Sequence, residues 1–250
     1  MIVGARTGAW AKAGGGVPTA RDYVQDGLWL QFDAIENNGF GSYDYDLTYW
    51  KDNISGIVLN QVNGKFRFTG NAFEWTSLDR LRSVKSEDAR INFTSTVQTL
   101  EVVTTKANPV FTLQGINGFD DWVSSRIGAN SDGAVQLEVN APGDGLTYLA
   151  MTADGEQMRI YINGVNVATG GVLKNSYSKL TNPELIFNGN VFSSGVSSGK
   201  VCAIRHSTSC FTPDQVAANY AIDKVRYNLP WNHLTLAKTH MVFGGRENEL

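Results

Sequence analysis

The segment Thr147 to Gly170, TYLAMTADGEQMRIYINGVNVATG, constrains the fold more than any other stretch, because two turn dipeptides divide it into three short apolar-alternating runs. Asp154-Gly155 and Asn163-Gly164 are two-residue hairpin signals whose backbone needs positive φ, so the segment predicts a three-stranded antiparallel meander. With each dipeptide at the centre of its turn, Met151 faces Met158 and Leu149 faces Ile160, while Ile162 faces Val165 and Ile160 faces Val167. Side chains alternate along a strand, so all seven of these apolar residues share one face. The other face carries Tyr148 opposite Tyr161, Arg159 beside Ala150 and Ala168, and Asn166 next to Tyr161. A sheet that is apolar on one side and mixed on the other is one layer of a β-sandwich.

A chain of 250 residues is long enough for one large sandwich with an ample core. The 26 glycines against 6 prolines suit many strands joined by tight turns. A formal net charge of −3, with no run of Lys or Arg, argues against a nucleic-acid-binding surface. No stretch approaches the apolar length needed to cross a bilayer, and the N-terminal residues lack the apolar core of a secretory signal. Synthesis in the cytoplasm without export is therefore expected, with Cys202 and Cys210 as reduced thiols.

Three parts are expected along the chain: an N-terminal arm over 1–21, a sandwich over 22–228 and a C-terminal tail over 229–250. The arm is rich in small residues, with Gly14-Gly15-Gly16 and Pro18, and the tail has no apolar period. Within the sandwich, DGLWLQFDAIE reads as a first strand with Leu28, Leu30 and Phe32 on one face and Trp29 on the other. Further strands are expected near 47–51, 56–60, 65–69, 90–93, 97–104, 109–114, 122–127 and 134–140, then the meander, then 184–187 and 200–206. One helix follows. In CFTPDQVAANYAIDK, Thr212 is the N-cap, Pro213 takes the first helical position, and Gln215 completes a capping box. Phe211 and Val216 form a hydrophobic staple, and Val216 with Tyr220, plus Ala217 with Ala221, form the stripe that should face the sandwich.

Three segments together resemble the concanavalin A-like lectin/glucanase superfamily, specifically its laminin-G-like members. They are DGLWLQFDAIENNGFGSYDYDLTYWKD, MRIYINGVNVATGG and GKVCAIRHSTSCFTPDQVAANYAIDKVRY, and in order and spacing they span about residues 22 to 228. The resemblance implies an all-β, two-sheet antiparallel jelly-roll sandwich, concanavalin A-like, with one short C-terminal helix. NPELIFNGNVFSSGVSSGKV departs from the family in lacking a clear Gly-rich strand before the closing one. GARTGAWAKAG and YAIDKVRYNLP are also similar to structural proteins of phages and prophages of gut bacteria.

Glucanases of this superfamily carry a Glu-x-Asp-x-x-Glu strand with nucleophile, helper and acid/base on one face. In QFDAIE the nucleophile position holds Gln31, and the stretch with Asp33 and Glu36 lies on the opening strand instead of mid-chain. The expectation is therefore a non-enzymatic protein with no catalytic residues. Cys202, His206 and Cys210 would cluster as zinc ligands only on a helix, and that stretch reads as a strand, so no metal site is expected. Calcium remains open through Asp120, Asp121, Asp132 and Asp144, placed in loops, and no other cofactor is indicated. Glycan binding needs aromatic faces and planar polar groups. Tyr148, Tyr161, Arg159, Asn166 and Trp122 are the candidates, with Trp75 also beside a loop. These readings lead to an expected phage virion component, of head or tail, whose sandwich adheres to host-surface glycans or contacts other virion subunits in an oligomer. The alternative is a bacterial cell-surface or secreted carbohydrate-binding module.

Overall fold

The computed structural model describes residues 16–63, 66–75, 80–83, 96–105, 111–114, 120–123, 126–131, 134–140, 145–171, 184–187 and 199–229. In chain order its first strands are β1 (Leu28–Asp33), β2 (Tyr49–Lys51), β3 (Val58–Asn63), β4 (Arg67–Phe68), β5 (Phe73–Trp75), β6 (Arg80–Ser83), β7 (Val97–Thr104) and β8 (Phe111–Gln114). They are followed by β9 (Asp120–Val123), β10 (Arg126–Ser131), β11 (Ala134–Asn140), β12 (Thr147–Asp154), β13 (Met158–Ile162), β14 (Val165–Gly170), β15 (Glu184–Phe187), β16 (Gly199–Ser207) and the helix α1 (Pro213–Arg226). Two antiparallel sheets result. The first runs β14-β13-β12-β7-β16-β5-β4 with β1 also beside β16, and the second runs β11-β10-β9-β8-β15-β6-β3-β2. This is the expected all-β sandwich with one short helix near the C-terminal end.

The meander is β12-β13-β14, and its second turn has the expected register, with Ile162 facing Val165. Asn163 and Gly164 both take positive φ, 49° and 76°, as a type I′ turn requires. The first turn is shifted by one residue. Asp154 pairs with Gln157 through its backbone N–H, and its carboxylate accepts from the N–H groups of Glu156 and Gln157. Asp154 therefore stands at the corner before the turn, where Asp is favoured, and Gly155, with φ 90°, is the first central residue. Met151 consequently faces Ile160 and Leu149 faces Ile162, so the predicted partners are displaced by two while every residue keeps its face. A bulge between Ile160 and Tyr161 brings Ala168, instead of Val167, opposite Ile160.

The inner face of the first sheet buries Leu100, Val102, Leu149, Met151, Ile160 and Ile204 in a core shared with Phe32, Trp50, Leu59 and Phe73. Trp50 stacks on Phe73 at 5.1 Å between ring centroids. Trp29 joins this core too, because a bulge between Leu28 and Leu30 breaks the alternation that would have sent it outward. Val165 departs from the expected apolar face and is exposed.

The outer face of the same sheet is covered by α1. The helix starts as its sequence dictates: Thr212 caps the Gln215 N–H, the Gln215 side chain reaches back to the Thr212 N–H, and Pro213 follows the cap. Its buried residues are Val216, Asn219, Tyr220 and Asp223. Ala217 and Ala221 are exposed, so half of the predicted stripe is replaced by two polar residues.

Strand placement otherwise differs at a few points. The expected strand 122–127 is a hairpin, β9 and β10, and β5 and β6 had no counterpart in the sequence reading. The expected strand 90–93 lies outside the described residues. Within the expected arm, Ala20 is fully buried, its N–H donating to Glu36 and its carbonyl accepting from Gln31. Of the expected tail only Leu229 is described, and it is buried.

Candidate functional site

The outer face of the meander is not open to a ligand. Tyr148 is 0% and Tyr161 1% exposed, both in a cluster with Phe211, Val216 and Tyr220. The Tyr148 ring lies 5.6 Å from that of Tyr220, and a Cβ added at Gly164 would come within 2.8 Å of Tyr220. The mixed character of this face reflects a second packing interface, not solvent. Arg159 sits at its margin, paired with Asp154 at 2.9 Å and bonded to Gln157. Asn166 is exposed and accepts from the Thr169 hydroxyl. Trp122 pairs with Gly128 and Thr112 in mid-sheet, and its side chain lies outside the described residues. Trp75 is the last residue of β5 and is buried. Asp120 and Asp121 are strand residues of β9 instead of loop residues, and Asp132 and Asp144 lie outside the described residues. Among the described residues no group of three or more His, Cys, Asp or Glu could hold a metal ion.

Beneath α1 lies a buried network of charges. Arg205, 1% exposed, donates Nε to Glu101 at 3.0 Å and Nη1 and Nη2 to Asp223 at 3.0 and 2.5 Å. Tyr23 Oη donates to Asp223, Asn219 donates to both Glu101 oxygens, and Tyr148 Oη donates to Glu101. Burial disfavours the Arg205 charge, but Asp223 and Glu101 hold its guanidinium protonated beyond its ordinary range. Burial, reinforced by Glu101, likewise raises the Tyr148 phenol. Every group here is satisfied by another protein group, which is the arrangement of a structural network.

A second branch of the network leads to the surface. Arg226, at the end of α1, donates Nη2 to Asp33 at 2.7 Å and Nη1 to Glu36 at 3.2 Å. Glu36 in turn accepts from the Ala20 N–H and, through Oε2, from the Gly41 N–H. Burial opposes its charge, yet those two N–H groups and Arg226 hold its carboxyl below the usual carboxylate range. The two acids of QFDAIE that survive from the glucanase pattern are thus spent on Arg226 and on the loop after β1.

That loop, residues 34–48, joins the first sheet to the second and so crosses an end of the sandwich. Its closure is specified from within: Asn37 exchanges two hydrogen bonds with the Asp44 backbone, 2.7 and 2.8 Å, and Ser42 N–H bonds to Gly39. Tyr43 packs against the main core and accepts from the Gly70 N–H at 2.9 Å. Tyr45 stands edge-on to Tyr43, with ring centroids 4.5 Å apart, yet is 68% exposed. Asp44 and Asp46 flank it, and the Asp44 carboxylate accepts from the Asp46 N–H. Arg21 lies over the Phe40 ring at 4.2 Å. A positioned, solvent-facing aromatic ring beside carboxylates is a surface suited to sugars. None of the residues expected from the sequence to bind a glycan lies in this loop. Its signal is three aromatic residues interleaved with Gly, Ser and Asp in NNGFGSYDYD, a stretch with no strand period that could use them as core.

Cys202, His206 and Cys210 do not converge. Cys202 is buried under α1, and both thiols are free. His206 points to the opposite face, where Trp29 Nε1 donates to its Nδ1 at 2.7 Å and its Nε2 lies 2.8 Å from Gln98 Oε1. Those partners select the neutral tautomer protonated on Nε2, and burial drives the pKa down to about 3.

No protein-family model matches the chain, and no curated protein matches it. Solved structures do. The binding domain of botulinum neurotoxin DC, in complex with rat synaptotagmin II, aligns with TM-score 0.57 and 12% identity over 79% of this chain and 52% of that one. Botulinum neurotoxin type C, described as dependent on interaction with two ganglioside molecules to enter cells, aligns with TM-score 0.56 and 12% identity over 78% and 51%. Trypanosoma rangeli sialidase, in complex with a difluoro-KDN, aligns with TM-score 0.59 and 12% identity over 89% of this chain and 36% of the enzyme. The chain thus spans about half of the neurotoxin structures and about a third of the sialidase. At this identity the likeness is one of fold, an antiparallel β-sandwich. It also corrects the expectation of a non-enzymatic chain: the fold occurs within a glycosidase, so the missing Glu-x-Asp-x-x-Glu strand does not exclude catalysis.

Proposed function

We propose that this chain is a glycan-binding β-sandwich module whose binding surface is the loop 34–48, with Tyr45 as the ring on which a sugar stacks. The observation that carries the reading is the exposure of Tyr45, 68%, on a loop otherwise pinned by Asn37, Glu36 and Tyr43. A pre-positioned ring binds without an ordering cost, and the neighbouring carboxylates accept from sugar hydroxyls. The ganglioside and sialidase connections of the fold's other bearers support a carbohydrate as ligand. Immobilised neutral and sialylated glycans, probed with wild type and Tyr45→Ala, test it. The variant should retain its thermal stability and lose about tenfold in affinity, about 1.4 kcal/mol. Wild-type affinity in Tyr45→Ala would remove the loop as the binding surface.

For biological setting, the reading is a phage virion component that displays the sandwich to host-surface glycans. Its support is the likeness of GARTGAWAKAG and YAIDKVRYNLP to phage structural proteins. Peptides of the chain in purified phage particles would support it. Their recovery in the washed surface fraction of uninfected cells would favour a bacterial carbohydrate-binding module.

A further inference from the structure

Resting on the glycan-binding reading of the same loop, we infer that the ligand is an uncharged glycan and that sialylated or sulfated sugars are disfavoured. The inference comes from the charges around Tyr45. Asp44 and Asp46 are its immediate neighbours in the chain, and an Asx turn in which Asp44 Oδ1 accepts from the Asp46 N–H at 2.9 Å holds the first carboxylate against the loop backbone. A sugar stacked on the Tyr45 ring sits on the residue between these two carboxylates. Among the described residues, Arg226 is shared between Glu36 and Asp33, and the Arg21 guanidinium is held over the Phe40 ring. These two cations against Asp33, Glu36, Asp44 and Asp46 leave an excess of negative charge. A neutral pyranose finds hydroxyl acceptors in the carboxylates of Asp44 and Asp46. A sialate or sulfate finds like charge, inside the Debye length at physiological salt. Specificity of this kind comes from the repulsive element as much as from the attractive one.

The full chain is titrated against N-acetyllactosamine and its sialylated counterpart, at low and at physiological salt, with wild type and with the double variant Asp44→Asn, Asp46→Asn. Wild type should bind the neutral sugar about three- to tenfold more tightly, with the gap narrowing as salt rises. The double variant, with both flanking carboxylates made neutral, should close the gap. Equal or tighter wild-type binding of the sialylated sugar overturns this inference and leaves the glycan reading standing. Binding of neither sugar at any salt removes both.

Discussion

The two faces of the first sheet are built on opposite principles. The inner face is mainly apolar, with Leu100, Val102, Leu149, Met151 and Ile204 sharing one core. The outer face, one residue away along the same strands, presents Glu101, Arg205, Tyr148 and Asp33, and is buried just as deeply under α1. Burial on the inner side follows from the side chains themselves, since removing them from water is favourable without any partner being specified. Burial on the outer side depends on Asp223, Asn219 and Arg226 arriving from the helix with matching geometry. One face tolerates approximate complementarity, and the other does not.

Arg205→Met should break that contrast most severely. It leaves Glu101 and Asp223 buried without their cation and should cost about 3–5 kcal/mol in urea denaturation, where Leu149→Ala costs about 2–5 kcal/mol through its cavity. The two losses differ in their response to pH. Orphaned carboxylates have folded pKa values raised above the unfolded ones, so the Arg205 variant should recover stability relative to wild type as pH falls, while the Leu149 variant should not. Equal pH profiles in the two variants would show that the outer network carries no electrostatic weight.

His206 sharpens the comparison from the inner side, as a titratable group in the apolar layer. Its folded pKa, about 3, lies below the ordinary histidine value of 6.5. Between those limits the unfolded chain binds a proton that the folded chain does not. Its contribution is therefore complete above pH 6.5 and is lost as pH falls towards 3, by at most about 1.4 kcal/mol per pH unit. Asp33, Asp52 and Asp223, raised by burial, act in the opposite sense, so the test is the difference between wild type and His206→Gln. That difference should slope over pH 3 to 6.5 and flatten above it. A flat difference throughout would mean that His206 is not held neutral.

The smallest effect belongs to the helix that separates the two faces. Thr212→Ala removes the N-cap of α1 and should lower stability by about 1 kcal/mol in thermal or urea denaturation. A loss matching that of Arg205→Met would mean that the helix stands on its cap and not on the network beneath it.

The candidate site was less legible than the fold. Tyr148 and Tyr161 were read correctly as facing away from the core, but a strand's alternation states only which side a residue takes, not what lies on that side. Their cover comes from residues about 70 positions downstream, such as Val216, whose carbonyl lies 3.4 Å from the Tyr148 hydroxyl. Tyr45 escaped notice for the converse reason. An aromatic residue in an irregular loop carries no periodicity, and only the docking of Tyr43 on the core shows which of the two tyrosines is left to solvent. The partner that Asp33 and Glu36 share, Arg226, lies 193 and 190 residues away, beyond any local pattern.

What the sequence determined by itself was local. The capping box at Thr212 and Gln215, the positive-φ turn at Asn163-Gly164 and the inner-face alternation of the meander each depend on residues a few positions apart, whose geometry the backbone enforces. Even the shifted turn at Asp154 preserved the faces, because a displacement of two residues leaves the alternation intact. Tertiary structure alone decided that the outer face is a second interior and that the loop 34–48 presents Tyr45 to solvent. Those outcomes hang on contacts such as Tyr23 with Asp223, 200 residues apart. Such contacts form only once the folded sandwich has brought the N-terminal segment and the helix over the same sheet.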